Sequence, residues 1–100
     1  MKTVIETPTF ISTSRQIWSE VEIEELITYL AINYDDGDVI PRSGGMRKLR
    51  WGGKNTGKRG GSRVIYYNSS EFCVTLVYAY RKNKQENTTT KELKHLKNEV

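Results

Sequence analysis

Hydrophobic residues in the first third of the chain recur at helical spacing. Thr7 followed by Pro8 offers a hydroxyl cap and a proline at the first helical position, where no N–H is needed, and predicts a helix over residues 8–16. Ser19 with Glu22 three residues later is typical of a capping box. The apolar positions after it follow the i, i+3, i+4, i+7 rule and predict a second helix over residues 19–34: Ile23, Leu26, Ile27, Leu30, Ala31 and Tyr34.

Two β-branched and aromatic runs in the second half of the chain predict strands. They cover residues 62–68 and 72–80 and are separated by the short polar stretch Ser69-Ser70-Glu71. We therefore expect them to form neighbouring antiparallel strands. Residues 2–7 are a short, partly apolar run that ends before Pro8, which predicts a brief edge strand.

The remaining patterns complete the fold prediction. Residues 46–51 mix apolar and basic positions, which predicts a strand with one face on the helices, while Arg47 or Lys48, and also Arg50, reach outward. Residues 88–100 carry spaced apolar positions behind a threonine cap and predict a last helix. The order βααβββα indicates an α+β fold, in which two N-terminal helices pack on a twisted, mainly antiparallel sheet in one domain over residues 1–100.

Composition excludes several classes of protein. One hundred residues suit a single small domain with one modest core. Cys73 is the only cysteine and His95 the only histidine, so the chain has no internal disulfide and too few ligands for a cysteine-rich zinc site. There is no run of about 18 apolar residues and no apolar segment before a small-residue cleavage site. We therefore expect neither a membrane span nor export, and a cytoplasmic location.

Positive charge is concentrated in the middle of the chain. Residues 1–38 hold eight acidic and two basic residues, a net charge of −6, whereas residues 39–100 hold fourteen basic and four acidic residues, a net charge of +10. Between Asp38 and Glu71 lie seven of the eight glycines and no acidic residue. Eight cations also lie there: Arg42, Arg47, Lys48, Arg50, Lys54, Lys58, Arg59 and Arg63. This density indicates a groove for a polyanion, most simply nucleic acid, although a solvated basic hairpin loop is the alternative.

Residues 52–61, GGKNTGKRGG, predict a hairpin loop whose glycines let a phosphate approach the backbone closely. The loop lacks the GxxxxGK[ST] spacing and does not open a helix after a strand. Both observations argue against a nucleotide-binding phosphate loop.

If the polyanion is RNA, its cleavage without a metal requires a base for the 2′-hydroxyl, cations for the phosphorane charge and an acid for the 5′-oxygen. The basic stretch lacks the carboxylates that would hold metal ions, so we predict no metal and no cofactor. His95 stands alone, which leaves lysine, arginine and tyrosine for the chemistry. Because antiparallel strands pair start against end, Arg63, Tyr80 and Lys82 should converge beside the loop cations Lys54, Lys58 and Arg59.

These residues resemble a known family. The stretch over residues 37–67, GDVIPRSGGMRKLRWGGKNTGKRGGSRVIYY, with the later strand VTLVYAYRKN and the threonine-capped last helix, is similar to the RelE/ParE superfamily of toxins, in particular the HigB-type branch. The resemblance extends over about residues 37–96. It implies the toxin of a type II toxin–antitoxin system: a ribosome-dependent mRNA endonuclease that cuts the codon in the 30S A site by 2′-hydroxyl attack. It also implies a cognate antitoxin, often a helix-turn-helix protein.

The resemblance assigns roles by position. Arg63 of the GGSR element would stabilise the scissile phosphate, and Tyr80 and Lys82 would sit beside that phosphate. The path of mRNA and rRNA would be lined by Arg47, Lys48, Arg50, Lys54, Lys58, Arg59 and Arg81. Arg81 stands where a small residue often occurs in the YxKN element, which leaves open whether Arg81 or Lys82 points into the site.

Two other functions fit the same residues. One is a ParE-like inhibitor of DNA gyrase, which acts by protein contact and needs no RNA chemistry; the glycine-rich cationic loop argues against it. The other is a non-catalytic RNA-binding module, for which we expect exposed aromatic residues at stacking positions in place of convergent cations. The sequence leaves open the codon preference, the cleavage of free RNA, the oligomeric state and the surface that the antitoxin covers.

Overall fold

The computed structural model describes residues 1–52 and 61–81. Its elements in chain order are β1 (Thr3–Glu6), α1 (Pro8–Ser14), α2 (Glu20–Ile32), β2 (Asp38–Val39), β3 (Arg47–Arg50), β4 (Ser62–Asn68) and β5 (Cys73–Arg81). The predicted α+β class is confirmed. The predicted helix over residues 88–100 and most of the predicted loop over residues 52–61 lie outside the described residues. Neither described helix is long and apolar enough to cross a membrane.

The strands form one mixed sheet in the order β1-β5-β4-β3-β2. The pairs β2–β3, β3–β4 and β4–β5 are antiparallel, as expected for a mainly antiparallel sheet. The strand β1 lies at one edge, as predicted, and runs parallel to β5. The strand β2 at the other edge is absent from the predicted order, because two residues are too few to show the alternation that identifies a strand.

Both helices begin at the predicted caps. The hydroxyl oxygen of Thr7 accepts a hydrogen bond from the backbone N–H of Phe10 at 3.1 Å. The hydroxyl oxygen of Ser19 accepts from the N–H of Glu22 at 3.2 Å, and the Glu22 carboxylate accepts from the N–H of Ser19 at 2.9 Å, which completes the capping box. Both helices end two residues before the predicted positions, at Ser14 and Ile32.

Two clusters of buried residues lie on opposite faces of the sheet. The first joins the helices to the sheet: Phe10, Trp18, Ile23, Leu26, Leu30, Val64, Tyr66, Val74, Leu76 and Ala79. The second contains Met46, Ile65, Val77, Tyr78 and Tyr80. Successive strand residues point to opposite faces, so Val64, Ile65 and Tyr66 alternate between the two clusters. The second cluster therefore lies on the sheet face away from α1 and α2, which we call the distal face.

A β-bulge in β5 determines which side chains share the distal face. Ile65 pairs with Tyr78 and Tyr66 pairs with Leu76, so Val77 is an extra residue in β5. Before the bulge, Leu76 belongs to the helix-side cluster; after it, Tyr78 and Tyr80 belong to the distal cluster. The hydroxyl of Thr7 lies 2.9 Å from the carbonyl oxygens of both Leu76 and Val77. The cap of α1 therefore also holds the bulge.

Candidate nucleic-acid interface

Three of the predicted cations lie on the distal face. Leu49 packs with the helix-side cluster, so alternation along β3 places Lys48 and Arg50 on the other side of the sheet. Val64 is likewise in the helix-side cluster, which places Arg63 on the distal face. The side chain of Arg50 is exposed, and those of Lys48 and Arg63 are half-buried. Of the two alternatives for β3, Lys48 is the residue that shares a face with Arg50.

Arg50, Arg63 and Tyr80 form a row across three strands. The register pairs Arg50 with Arg63 and Arg63 with Tyr80. Directly opposed residues share a face and have Cβ atoms about 5 Å apart. Arg63 and Tyr80 therefore meet on one face, as the antiparallel pairing predicts. The row lies where β3 ends and β4 begins, at the end of central strands and not along an edge strand.

The row brings two positive charges together. Like charges directly opposed across antiparallel strands weaken the pairing of those strands. The guanidinium Nη1 of Arg63 lies 3.4 Å from the carbonyl oxygen of Ser62, which is long for a hydrogen bond. As directly opposed residues on one face, Arg50 and Arg63 concentrate positive charge there, which suits a phosphate ligand.

Tyr80 is packed into the distal cluster. Its residue surface is 7% exposed, and its ring stacks on that of Tyr78 with centroids 5.7 Å apart and an interplanar angle of 30°. Tyr78 is 6% exposed. The ring of Tyr80 is thus fixed by packing, and little of it is available for stacking on a base.

Two other predicted cations lie on the helix side of the sheet. The guanidinium of Arg47 donates hydrogen bonds to the carbonyl oxygens of Asp35 at 2.9 Å and Gly37 at 2.8 Å, and lies 3.6 Å from the Asp35 carboxylate. The guanidinium of Arg81 donates to the carbonyl oxygen of Gln16 at 3.1 Å. Both groups hold loops that follow the helices. The structure brings neither of them into the row with Arg63.

Among the described residues, the acidic Asp38 also lies on the distal face, at a position that the sequence pattern does not reveal. Asp38 in β2 pairs with Lys48 in β3, so the two side chains share a face. An antiparallel register cannot be inferred from a two-residue strand, which explains why Asp38 was expected to flank the basic stretch and not to join it. No acidic residue is a register partner of Arg50, Arg63 or Tyr80. Within residues 1–52 and 61–81, no group of three or more His, Cys, Asp or Glu residues could hold a metal ion.

Four predicted site residues, Lys54, Lys58, Arg59 and Lys82, lie outside the described residues. Their assignment to the site stays a prediction.

The family comparison agrees with this architecture. Residues 10–99 match the model of the RelE toxin of the RelE / RelB toxin-antitoxin system. The match covers α1 from Phe10 onward, α2, β2 to β5 and the row of Arg50, Arg63 and Tyr80. It confirms the resemblance at the level of the RelE family and implies an antitoxin as partner. The chain belongs to the RelE family of toxins from toxin–antitoxin systems.

Proposed function

We propose that this toxin is a ribosome-dependent, metal-independent mRNA endonuclease of the HigB-like branch, acting in the cytoplasm. In the 30S A site, the 2′-hydroxyl of the mRNA loses its proton and attacks the adjacent phosphate, and the P–O5′ bond breaks as the 5′-oxygen takes up a proton. The products are a 2′,3′-cyclic phosphate and a 5′-hydroxyl, and the cut stops translation. The observation that carries the proposal is the row of Arg50, Arg63 and Tyr80 on the distal face. The branch assignment is supported by the GG-RK-R and GK-GGSR-IYY elements of the sequence.

The row matches the needs of phosphate chemistry. A pentacoordinate phosphorane carries more negative charge than the starting diester, and preorganised cations stabilise that difference. Arg63 lies between Arg50 and Tyr80, so a phosphate at Arg63 contacts a second guanidinium on one side and a phenol on the other. We assign stabilisation of the phosphate charge to Arg63 and binding of the RNA backbone to Arg50 and Lys48. The hydroxyl of Tyr80, together with Lys82, carries out the proton transfers.

The packing of the site narrows these roles. The burial of Tyr80 disfavours base stacking by its ring, so we limit its proposed role to the hydroxyl. The carbonyl contacts of Arg47 and Arg81 favour roles in the fold, so we do not include these two residues in the RNA path. The sequence alone supports a role along the RNA for Lys54, Lys58 and Arg59, and we retain it in the proposal.

The distal face also bears on the other two candidate functions. A non-catalytic RNA-binding module reads bases by stacking them on exposed aromatic rings. Tyr78 and Tyr80 are both buried, which disfavours that module. A ParE-like inhibitor of gyrase does not need adjacent guanidinium groups at the end of two strands, so the Arg50–Arg63 pair favours a phosphate ligand.

The test compares Arg63→Ala with Arg81→Ala on translating ribosomes that carry a defined mRNA, with primer extension across the A site. The two residues belong to adjacent strands at the same end of the sheet, but the guanidinium of Arg81 is held on the helix side. We expect Arg63→Ala to lose about 100-fold or more in cleavage rate, the usual effect of removing one transition-state contact, and Arg81→Ala to cleave within a few-fold of the wild type.

A supercoiling assay with purified gyrase, run in parallel, distinguishes inhibition of gyrase from cleavage of mRNA. If Arg63→Ala still arrests growth and the wild type inhibits supercoiling without cutting mRNA, the protein is a gyrase inhibitor and the proposed mRNA endonuclease function is wrong. Both variants must show the circular dichroism spectrum and melting temperature of a folded domain.

A further inference from the structure

The last residues of β5 lie beyond the end of the edge strand β1. The strand β1 pairs with β5 only as far as Glu6 opposite Leu76, whereas β5 continues to Arg81. From Val77 onward, β5 therefore has β4 on one side and α1 with its flanking residues on the other. Val77 and Ala79 are buried. Because buried backbone N–H and C=O groups need hydrogen-bond partners, this side of β5 needs partners from outside the sheet.

Two threonine hydroxyls at the two ends of α1 supply these partners. The hydroxyl of Thr7 lies 2.9 Å from the carbonyl oxygen of Val77. The backbone N–H of Ala79 donates to the hydroxyl oxygen of Thr13 at 3.0 Å. The hydroxyl of Thr13 in turn donates to the carbonyl oxygen of Thr9, one turn earlier in the helix, at 2.8 Å. The proton of the Thr13 hydroxyl is thus directed along α1, and its oxygen accepts from β5.

A small side chain at Ala79 lets the helix come this close to the strand. Ala79 has the smallest side chain of the helix-side cluster and is 3% exposed. A larger side chain at this position would push α1 away from β5 and break the hydrogen bond to Thr13. The contact between Thr13 and Ala79 is therefore a direct link between the helix and the backbone of β5.

This link lies one residue before Tyr80. Any movement of the backbone at Ala79 moves the Cα of Tyr80 with it, because the two residues share a rigid peptide unit. The ring of Tyr80 is already held by its stacking on Tyr78. On the other side of Tyr80, Arg81 is joined to the turn after α1 only through its long side chain, which restrains the backbone less. The backbone position of Tyr80 therefore depends on Thr13 more than on Arg81.

We propose that Thr13 is a positioning residue for the cleavage reaction. Its hydroxyl holds the N–H of Ala79 and thereby keeps the hydroxyl of Tyr80 beside the phosphate at Arg63. Proton transfer requires a donor and an acceptor within hydrogen-bond reach, and a displacement of about 1 Å can lower a rate about 100-fold. Thr13 belongs to α1 on the helix side of the sheet, so it acts through β5 and does not touch RNA on the distal face. The inference rests on the proposed function, which it extends to the support of Tyr80.

The test measures single-turnover cleavage of ribosome-bound mRNA at increasing concentrations of the full-length toxin. Thr13→Val keeps the shape of the side chain and removes the acceptor, whereas Thr13→Ser keeps the hydroxyl. We expect Thr13→Val to lower the maximal rate about 10-fold and to leave the half-saturating toxin concentration within about twofold of the wild type, because RNA binding is unaffected. Thr13→Ser should restore most of the rate. Equal rates for Thr13→Val and the wild type would overturn the proposal, and so would a failure of Thr13→Ser to restore the rate.

Two controls separate positioning from a general loss of stability. Ser12→Ala, at the exposed neighbouring position of α1, should cleave as the wild type does. Val74→Ala removes a buried side chain near the other end of β5 and should lower the melting temperature at least as much as Thr13→Val. At a temperature where all variants are folded, Val74→Ala should keep the wild-type rate. If Val74→Ala loses the same rate as Thr13→Val, the effect of Thr13 is one of stability and the proposal is wrong.

A double-mutant cycle tests whether Thr13 acts through Tyr80. Tyr80→Phe removes the hydroxyl that Thr13 is proposed to position. In that background, Thr13→Val should cause little further loss of rate, because residues that act as a unit have non-additive effects. A further loss of about 10-fold in the double variant would show that Thr13 acts by another route.

NMR of the free toxin reports the position of Tyr80 without RNA. With tyrosine isotope-labelled at Cζ, the signal of Tyr80 should shift in Thr13→Val and return in Thr13→Ser, whereas the signal of Tyr34, beyond the end of α2, should stay in place. An unshifted Tyr80 signal in Thr13→Val would overturn the positioning role.

The two proposals can fail separately. If the wild type does not cut mRNA on the ribosome, the proposed function is wrong, and the NMR signals still show whether Thr13 holds Tyr80. If the wild type cuts mRNA and Thr13→Val cuts it equally fast, the proposed function stands and the positioning role is wrong.

Discussion

The backbone N–H of Gly37 donates a hydrogen bond to the phenolic oxygen of Tyr66 at 2.8 Å. Tyr66 is fully buried in the helix-side cluster, and Gly37 directly precedes β2. The carbonyl of the same glycine accepts the guanidinium of Arg47 at 2.8 Å. One glycine thus joins the end of α2, the edge of the sheet and the largest buried side chain.

Gly37→Ala should destabilise the protein through a steric clash. A Cβ at Gly37 would lie 2.8 Å from both Cε1 and the hydroxyl oxygen of Tyr66, closer than van der Waals contact allows. We expect a loss of about 1–3 kcal/mol in the free energy of unfolding, the usual cost of overpacking. Urea denaturation followed by circular dichroism measures it. Gly45→Ala is the contrasting variant: a Cβ there meets nothing within 4 Å, so its cost arises only from the backbone angle φ of +94°.

Tyr66→Phe should remove a hydrogen bond and should also reduce the dependence of stability on pH in the alkaline range. Burial raises the pKa of Tyr66 above its ordinary value. The unfolded chain loses this proton near pH 10, before the folded chain does, so the folded state binds more protons and stability falls as pH rises above about 10. The variant should be less stable at pH 7, by about 1–3 kcal/mol for the unpaired N–H of Gly37.

The measurement for this variant is the melting temperature between pH 7 and pH 11. Over the last pH unit of this range, the melting temperature of the wild type should fall by more than that of Tyr66→Phe. Parallel curves for the two proteins would show that Tyr66 does not contribute to the alkaline loss. Tyr67→Phe, on the other face of the same strand, serves as the control for removal of a tyrosine hydroxyl.

Arg50→Glu should stabilise the fold while it abolishes activity. The substitution turns the opposed pair Arg50–Arg63 into a pair of opposite charges, which contributes roughly 0.2–1 kcal/mol across antiparallel strands. The new carboxylate also neutralises Arg63 and repels phosphate, so mRNA cleavage should fall at least 100-fold. Thermal melting and the ribosome assay measure the two effects on the same preparation.

The control for that pair is Lys48→Glu. It brings a carboxylate opposite Asp38 on β2, so it should destabilise the edge of the sheet by a similar amount. If both variants change stability in the same direction, the charges are screened by solvent and the opposed arginines do not weaken the fold.

Thr7→Val should destabilise the start of α1 and the bulge together. Valine has a similar shape, but it cannot accept the N–H of Phe10 or reach the carbonyls of Leu76 and Val77. We expect a loss of about 2–3 kcal/mol, since the hydroxyl is buried and the groups around it lose their partner. Ser12→Ala, at an exposed position of the same helix, should cost far less.

Hydrogen exchange of the amides of residues 76–80 is the second measurement for Thr7→Val. The amides should exchange faster in this variant than in a core variant of equal global stability, such as Val74→Ala. Equal exchange would show that Thr7 caps the helix without supporting the bulge.

Local patterns predict most of the fold because the evidence for each element is local. The capping box of Ser19 and Glu22 and the apolar period after it define α2, and the hairpin between β4 and β5 follows from two runs and a polar turn. The parallel orientation of β1 depends on its pairing with β5, more than 60 residues later in the sequence. The existence of β2 depends on its pairing with β3, about 10 residues later. No local pattern encodes either one.

The candidate site is predictable only in part for the same reason. The pairing of Arg63 with Tyr80 follows from the antiparallel hairpin. The choice between Arg47 and Lys48 requires knowing that Asp35 and Gly37 turn their carbonyls towards Arg47 after α2 ends. The alternation of β5 is hidden because VTLVYAY is apolar on both faces, so nothing in the pattern reveals the extra residue at Val77.

That extra residue determines which chemical group the end of β5 places opposite Arg63. If Val77 were paired with Ile65 in a regular ladder, each later residue of β5 would move by one position along β4, so that Ala79 would lie opposite Arg63 and Tyr80 opposite Ser62, facing the helices. A one-residue deletion at Val77, in contrast, would close the bulge and leave Tyr80 opposite Arg63. Homologues that lack this residue should therefore keep the tyrosine on the distal face and need no hydroxyl at Thr7 to hold a bulge.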